Sequence, residues 1–102
     1  MTDYKLFRVP LERADGMWLV ADLYCASFLF ARGNSCVGIE PTAQRGRHVF
    51  VISPRDAFAD DLAAWSANAA VPVRDFLDGV YFLKALVRES PASDNTKLVK
   101  SL

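Results

Sequence analysis

Hydrophobic and polar positions change their spacing several times along the chain, and each change predicts an element. Tyr4 to Val9 has strand composition and ends at Pro10. Leu11 to Gly16 reads as a polar connection closed by the turn dipeptide Asp15-Gly16, after which Met17 to Val20 returns as a second strand. The rival is one long helix over 15–32. Its Asp22 would then face Trp18, Leu19, Cys25 and Ala26, an apolar surround for a carboxylate. As an N-cap, Asp22 instead accepts bonds from the free amides of a first turn. A helix from Asp22 to Arg32 is therefore predicted, with Gly33 in the left-handed position just past its end. Leu23, Tyr24, Ala26, Phe28, Leu29, Phe30 and Ala31 make it apolar nearly all round, as a buried central helix should be.

Two more strands follow, Ser35 to Glu40 and Arg47 to Ser53, joined by a hairpin loop over 41–46. Val37 and Ile39 are expected on one face of the first. Val49 and Val51 alternate with His48, Phe50 and Ile52 in the second, which is therefore expected to be covered on both sides. Ser53 as N-cap and Pro54 at the first helical position predict a helix to about Ala67. Phe58, Leu62 and Trp65 form its inner face, and Asp60 and Asp61 its solvated side. The run 68–72 breaks it. A last helix, Val73 to Glu89, carries the apolar set Val73, Phe76, Leu77, Val80, Leu83 and Val87. Gly79 within it costs about 1 kcal/mol relative to Ala, which close packing of a neighbour would offset. The order is β-β-α-β-β-α-α, a small α+β domain over 1–89 with an antiparallel sheet packed by helices, followed by a flexible tail over 90–102.

At 52% hydrophobic and 24% charged, the 102 residues belong with ordinary globular domains. Twelve basic residues balance twelve acidic ones, so attraction to nucleic acid or to a membrane has to be local. The longest early apolar run, Met17 to Ala31, is interrupted by Asp22 and is shorter than the roughly 20 residues a bilayer requires. The first residues run into charge, unlike a secretory leader. Cys25 and Cys36 form no CxxC pair. Free thiols in a reducing, cytoplasmic compartment are the expectation.

Candidate chemistry is sparse. A single histidine, His48, removes most metal and nucleophile schemes, and Cys25, Cys36 and His48 lack zinc-ligand spacing. A Cys36–His48 pair would have to form across the hairpin, with no helix N-terminus to activate the thiol. Glu40 is followed by a strand without acid or lysine, unlike a magnesium nuclease site. Asp56, Asp60 and Asp61 fit a helix start better than a cation site. No phosphate-loop pattern occurs. Catalytic residues, metal ligands and cofactors are therefore none. One asymmetry remains: from 32 to 55, Arg32, Arg45, Arg47 and Arg55 face Glu40 alone. Arg45, Arg47 and Arg55 are candidate phosphate contacts, against the plainer reading of a solvated hairpin. Phe7, Trp18 and Tyr81 are candidate interface aromatics, against a place in the core.

The series Asp22-Leu23-Tyr24, Ala31-Arg32-Gly33, Val37-Gly38-Ile39-Glu40, Gly46-Arg47-His48-Val49-Phe50-Val51, Trp65, Val71-Pro72-Val73-Arg74-Asp75-Phe76 and Leu83-Lys84 resembles a family of short bacterial and phage-borne domains of unknown function. The similarity covers about two thirds of the chain, 22–87, and lies in the order and spacing of its pieces. Asn68 follows Trp65 by three residues here without the family's Gly, and the N-terminal segment is longer. The resemblance implies the element order and no activity. A non-catalytic interaction module, homodimeric and binding a protein partner, is the reading expected from these residues. A nucleic-acid accessory protein using the basic hairpin is the alternative. A small-molecule sensor with its pocket between the sheet and the last helix is a third, without specific residue support.

Overall fold

The computed structural model describes residues 9–42 and 47–89. Its elements are β1 (Leu11–Glu12), β2 (Trp18–Val20), α1 (Leu23–Ala31), β3 (Ser35–Pro41), β4 (His48–Ser53), α2 (Phe58–Ser66) and α3 (Val73–Arg88). The predicted order and the α+β class hold. The four strands form one antiparallel sheet ordered β1-β2-β4-β3.

The first strand lies after Pro10, where a connection was expected; the expected strand over 4–9 falls mostly outside the described residues. Leu11 pairs with Leu19. The turn between them is closed by the Arg13 amide on the Met17 carbonyl at 2.7 Å, with Gly16 at φ 91°. That positive φ is a conformation only glycine adopts without strain. β2 stops at Val20 because Asp22 caps α1: its Oδ1 accepts the Tyr24 and Cys25 amides at 2.8 and 3.2 Å. The long-helix rival is excluded, and Gly33 takes the predicted left-handed position at φ 108°.

Phe50 and Ile52 of β4 meet Val20, Cys25, Ala26, Phe28, Leu29, Phe58 and Leu83 in the core. Val49 and Val51, on the opposite face, are buried too, so β4 is covered on both sides. Val37 and Ile39 do not share a face. The register shifts between Cys36 and Gly38, which leaves Val37 exposed while Cys36 and Ile39 both pack on the core.

The start of α2 also differs from expectation. Ser53 still belongs to β4, paired with Ser35, and α2 begins at Phe58 with Ala57 at its cap and no side-chain capping bond. Asp61, expected in solvent, is fully buried. The helix ends where Asn68 adopts φ 59°, and the Ala69 amide reaches back to the Ala64 carbonyl at 2.9 Å. Asparagine there substitutes for the usual glycine. In α3 the buried positions are Gly79, Val80 and Leu83; Val73 and Leu77, expected to face inward, are exposed. Among the described residues no helix is long and apolar enough to cross a membrane.

Candidate ligand cleft

β4 runs alongside the end of β2, and its helix-facing positions alternate as His48, Phe50 and Ile52. Ile52 and Phe50 are filled over by α1. At the His48 end the chain has left β2 for the Asp22 cap, so Ala21 and Leu23 form a wall without closing the space. The last turns of α3 supply the other wall through Lys84, Val87 and Arg88, whose i, i+3, i+4 spacing places them on one face. Between them lies a cleft of about 440 Å³, completed by Arg47 and Phe50. That volume is within the roughly 300–1,000 Å³ typical of small-molecule sites.

The cleft has an apolar floor of Ala21, Leu23, Phe50 and Val87 and a rim of Arg47, His48, Lys84 and Arg88, with no acidic residue in its lining. The side chains of Lys84 and Arg88 make no hydrogen bond or ion pair among the described residues. An arrangement of this kind suits a molecule with an anionic group and an apolar body. The cations attract and orient the one, and the floor removes the other from water.

Of the arginines singled out from sequence, Arg47 lines this cleft and Arg45 lies outside the described residues. Arg55 is at the far end of β4, six strand residues or roughly 20 Å from Arg47. There it holds Asp61 with two bonds, Nε to Oδ2 at 2.9 Å and Nη2 to Oδ1 at 2.8 Å. Arg32 adds a bond to Oδ1 at 3.0 Å and the Asn34 amide one to Oδ2 at 2.9 Å. The Asn34 carbonyl oxygen accepts the Arg55 backbone amide at 2.8 Å, and its NH₂ also reaches the Leu29 carbonyl at 2.9 Å. Asp61 thus has four donors, and they hold its pKa down at about 2, Arg55 being the largest influence. This knot ties α1, β4 and α2 together; each polar atom of Asp61 and Asn34 has a partner within it, so it reads as architecture.

Neither cysteine is placed to react. Burial, helped by nearby Asp22, pushes the Cys25 thiol up to about 12, and burial also raises Cys36. Cys36 pairs with Ile52 whereas His48 pairs with Pro41, so four strand positions, roughly 13 Å, separate them. Among the described residues no three His, Cys, Asp or Glu side chains converge as metal ligands. Trp18 is half-buried and packs on Phe58, ring centroids 4.9 Å apart, whereas Tyr81 is 64% exposed and Phe7 lies outside the described residues.

Sequence reasoning missed Lys84 and Arg88 as site residues and Asp61 as a buried group. The basic pair at i and i+4 was visible, but which strand end it would face depends on how α3 crosses α1. No family model matches the chain, and neither characterised proteins nor solved structures show a significant similarity to it.

Proposed function

We propose that this chain is a non-catalytic binding domain that takes an anionic group with an apolar body in the cleft between β4 and α3. The observation that carries this reading is the lining itself: Arg47, Lys84 and Arg88 with His48 around Ala21, Leu23, Phe50 and Val87, and no acid among them. The raised pKa values of the buried Cys25 and partly buried Cys36 thiols, and the separation of Cys36 from His48, favour binding over nucleophilic chemistry. The lining supports a small-molecule sensor as one form of this reading, with Arg47, Lys84 and Arg88 as its anion contacts.

Thermal unfolding in phenyl phosphate and octanoate, beside their neutral counterparts benzyl alcohol and octanamide, tests the proposal. Ligands that bind only the folded state raise the Tm. The anions should raise it and the neutral compounds should not, and Lys84→Glu/Arg88→Glu should abolish the rise. Equal shifts from neutral and anionic compounds would refute a charge-selective site.

A second reading is favoured by a specific observation. Val73, Leu77 and Tyr81 of α3, with Tyr24 of α1, leave large apolar side chains in solvent, as an interface with a second copy or another protein would. Nucleic acid is less favoured, because Arg47 and Arg55 lie at opposite ends of β4 and Arg55 is bound to Asp61.

A further inference from the structure

The cleft does not end at its rim. Val73, Leu77, Tyr81, Lys84 and Arg88 recur along α3 at steps of four, four, three and four, which places all five on one face of the helix. The first three are 71%, 41% and 64% exposed, and the last two line the cleft. The face therefore begins as an apolar ridge in solvent and ends as the basic wall of the cleft. Fifteen residues separate its ends, about 22 Å of helix. A small anion fills the cleft and leaves that ridge bare.

Resting on the cleft reading above, we infer that the natural ligand is an acidic amphipathic segment of another protein. Its apolar stripe lies along Val73, Leu77 and Tyr81, and its carboxylates enter the cleft beside Lys84 and Arg88. Charge complementarity sets the sign of the occupant, since the basic end has no acidic residue in its lining. The helical spacing of the ridge suits an amphipathic helix laid against it. An anionic lipid surface fits less well. Asp78, exposed and three residues before Tyr81, flanks the ridge and would be carried towards its negative headgroups.

The test uses the full chain and fluorescein-labelled helical peptides of about 18 residues, long enough to follow the ridge. Each carries leucines at i, i+4, i+7 and i+11. One has three glutamates at its C-terminal end, one has them at its N-terminal end, and a third is scrambled. Fluorescence anisotropy at physiological salt should show saturable binding of one acidic polarity and none of the scrambled peptide. Leu77→Glu/Tyr81→Glu and Lys84→Glu/Arg88→Glu, each shown to fold by circular dichroism, should each weaken binding about tenfold or more.

Five results would overturn the inference. Flat curves for both acidic peptides would do so, and the phenyl phosphate and octanoate shifts then report separately whether the cleft itself binds anions. Equal binding of the scrambled peptide, or indifference to Leu77→Glu/Tyr81→Glu, would mean that bulk charge and not the ridge is recognised. Co-sedimentation with phosphatidylserine vesicles while the peptides stay unbound would assign the face to a membrane. Light scattering that finds a dimer dissolved by Leu77→Glu/Tyr81→Glu would assign it to a second copy.

Discussion

Arg55 holds the fully buried Asp61 side-on, Nε to Oδ2 at 2.9 Å and Nη2 to Oδ1 at 2.8 Å, and so fixes the entrance to α2 against the end of β4. Removing the carboxylate leaves Arg32 and Arg55 side by side without a counter-ion and Asn34 short of one acceptor. Asp61→Asn should therefore destabilise the fold by about 2–4 kcal/mol, the lower part of that range reflecting the partial exposure of both arginines. Arg55→Lys, which cannot make two parallel bonds, should lose a smaller part. Urea unfolding of the three proteins checks the order; an Asp61→Asn midpoint equal to that of the unaltered chain would contradict it.

The same carboxylate predicts an acid limb. Its folded pKa, about 2, lies below its ordinary 3.8, so its contribution is fully present above pH 4 and is lost as pH falls from there towards 2. The loss should be on the order of 2 kcal/mol. Stability measured from pH 6 to pH 2 should fall more steeply for the unaltered chain than for Asp61→Asn, because the amide has no proton to take up. Parallel curves would show that the limb arises elsewhere.

Gly79 is required by contact. A Cβ there would lie 3.1 Å from the Ser27 carbonyl oxygen and 3.2 Å from Phe30 Cδ2. In an open helix Gly→Ala gains about 1 kcal/mol. At this position the facing atom is backbone of α1 and yields only if the helices part, which costs about 1–3 kcal/mol. Gly79→Ala should lower the Tm, and a raised Tm would show that the two helices separate freely.

At the end of α2, Asn68 sits at φ 59°. Asn68→Gly should raise stability by a few tenths of a kcal/mol to about 1, and Asn68→Ala should lower it by a similar amount. Thermal unfolding of the pair checks the opposite signs.

Much of the fold was legible because local chemistry decided it. Asp22 could cap a helix or waste a carboxylate on an apolar face, and Gly33 marked that helix's end. Alternation in 48–52 showed a strand covered on both sides. What was hidden depends on groups far apart in the chain. Ser53-Pro54 has the form of a helix start, yet pairing with Ser35 extends β4 through Ser53, and the Asn34 carbonyl oxygen holds the Arg55 amide outside the helix. Asp61 looked solvated because its partners, Arg32 and Asn34, lie 29 and 27 residues earlier. Val73 and Leu77 continue the apolar stripe of α3 in sequence but pass beyond what α1 and the sheet cover. Arg47 was visible as a basic residue. Its association with Lys84 and Arg88 was not, since it follows from how Gly79 lets α3 lie against α1.

The most direct test of the cleft is a ¹⁵N-resolved NMR titration with phenyl phosphate, using inorganic phosphate and benzyl alcohol as controls. Saturable amide shifts should be centred on Ala21, Leu23, His48, Phe50 and Val87, with weaker effects from either control and none in Lys84→Glu/Arg88→Glu. Shifts centred instead on Arg32 and Arg55, or no saturable shifts at all, would contradict an anion-binding cleft between β4 and α3.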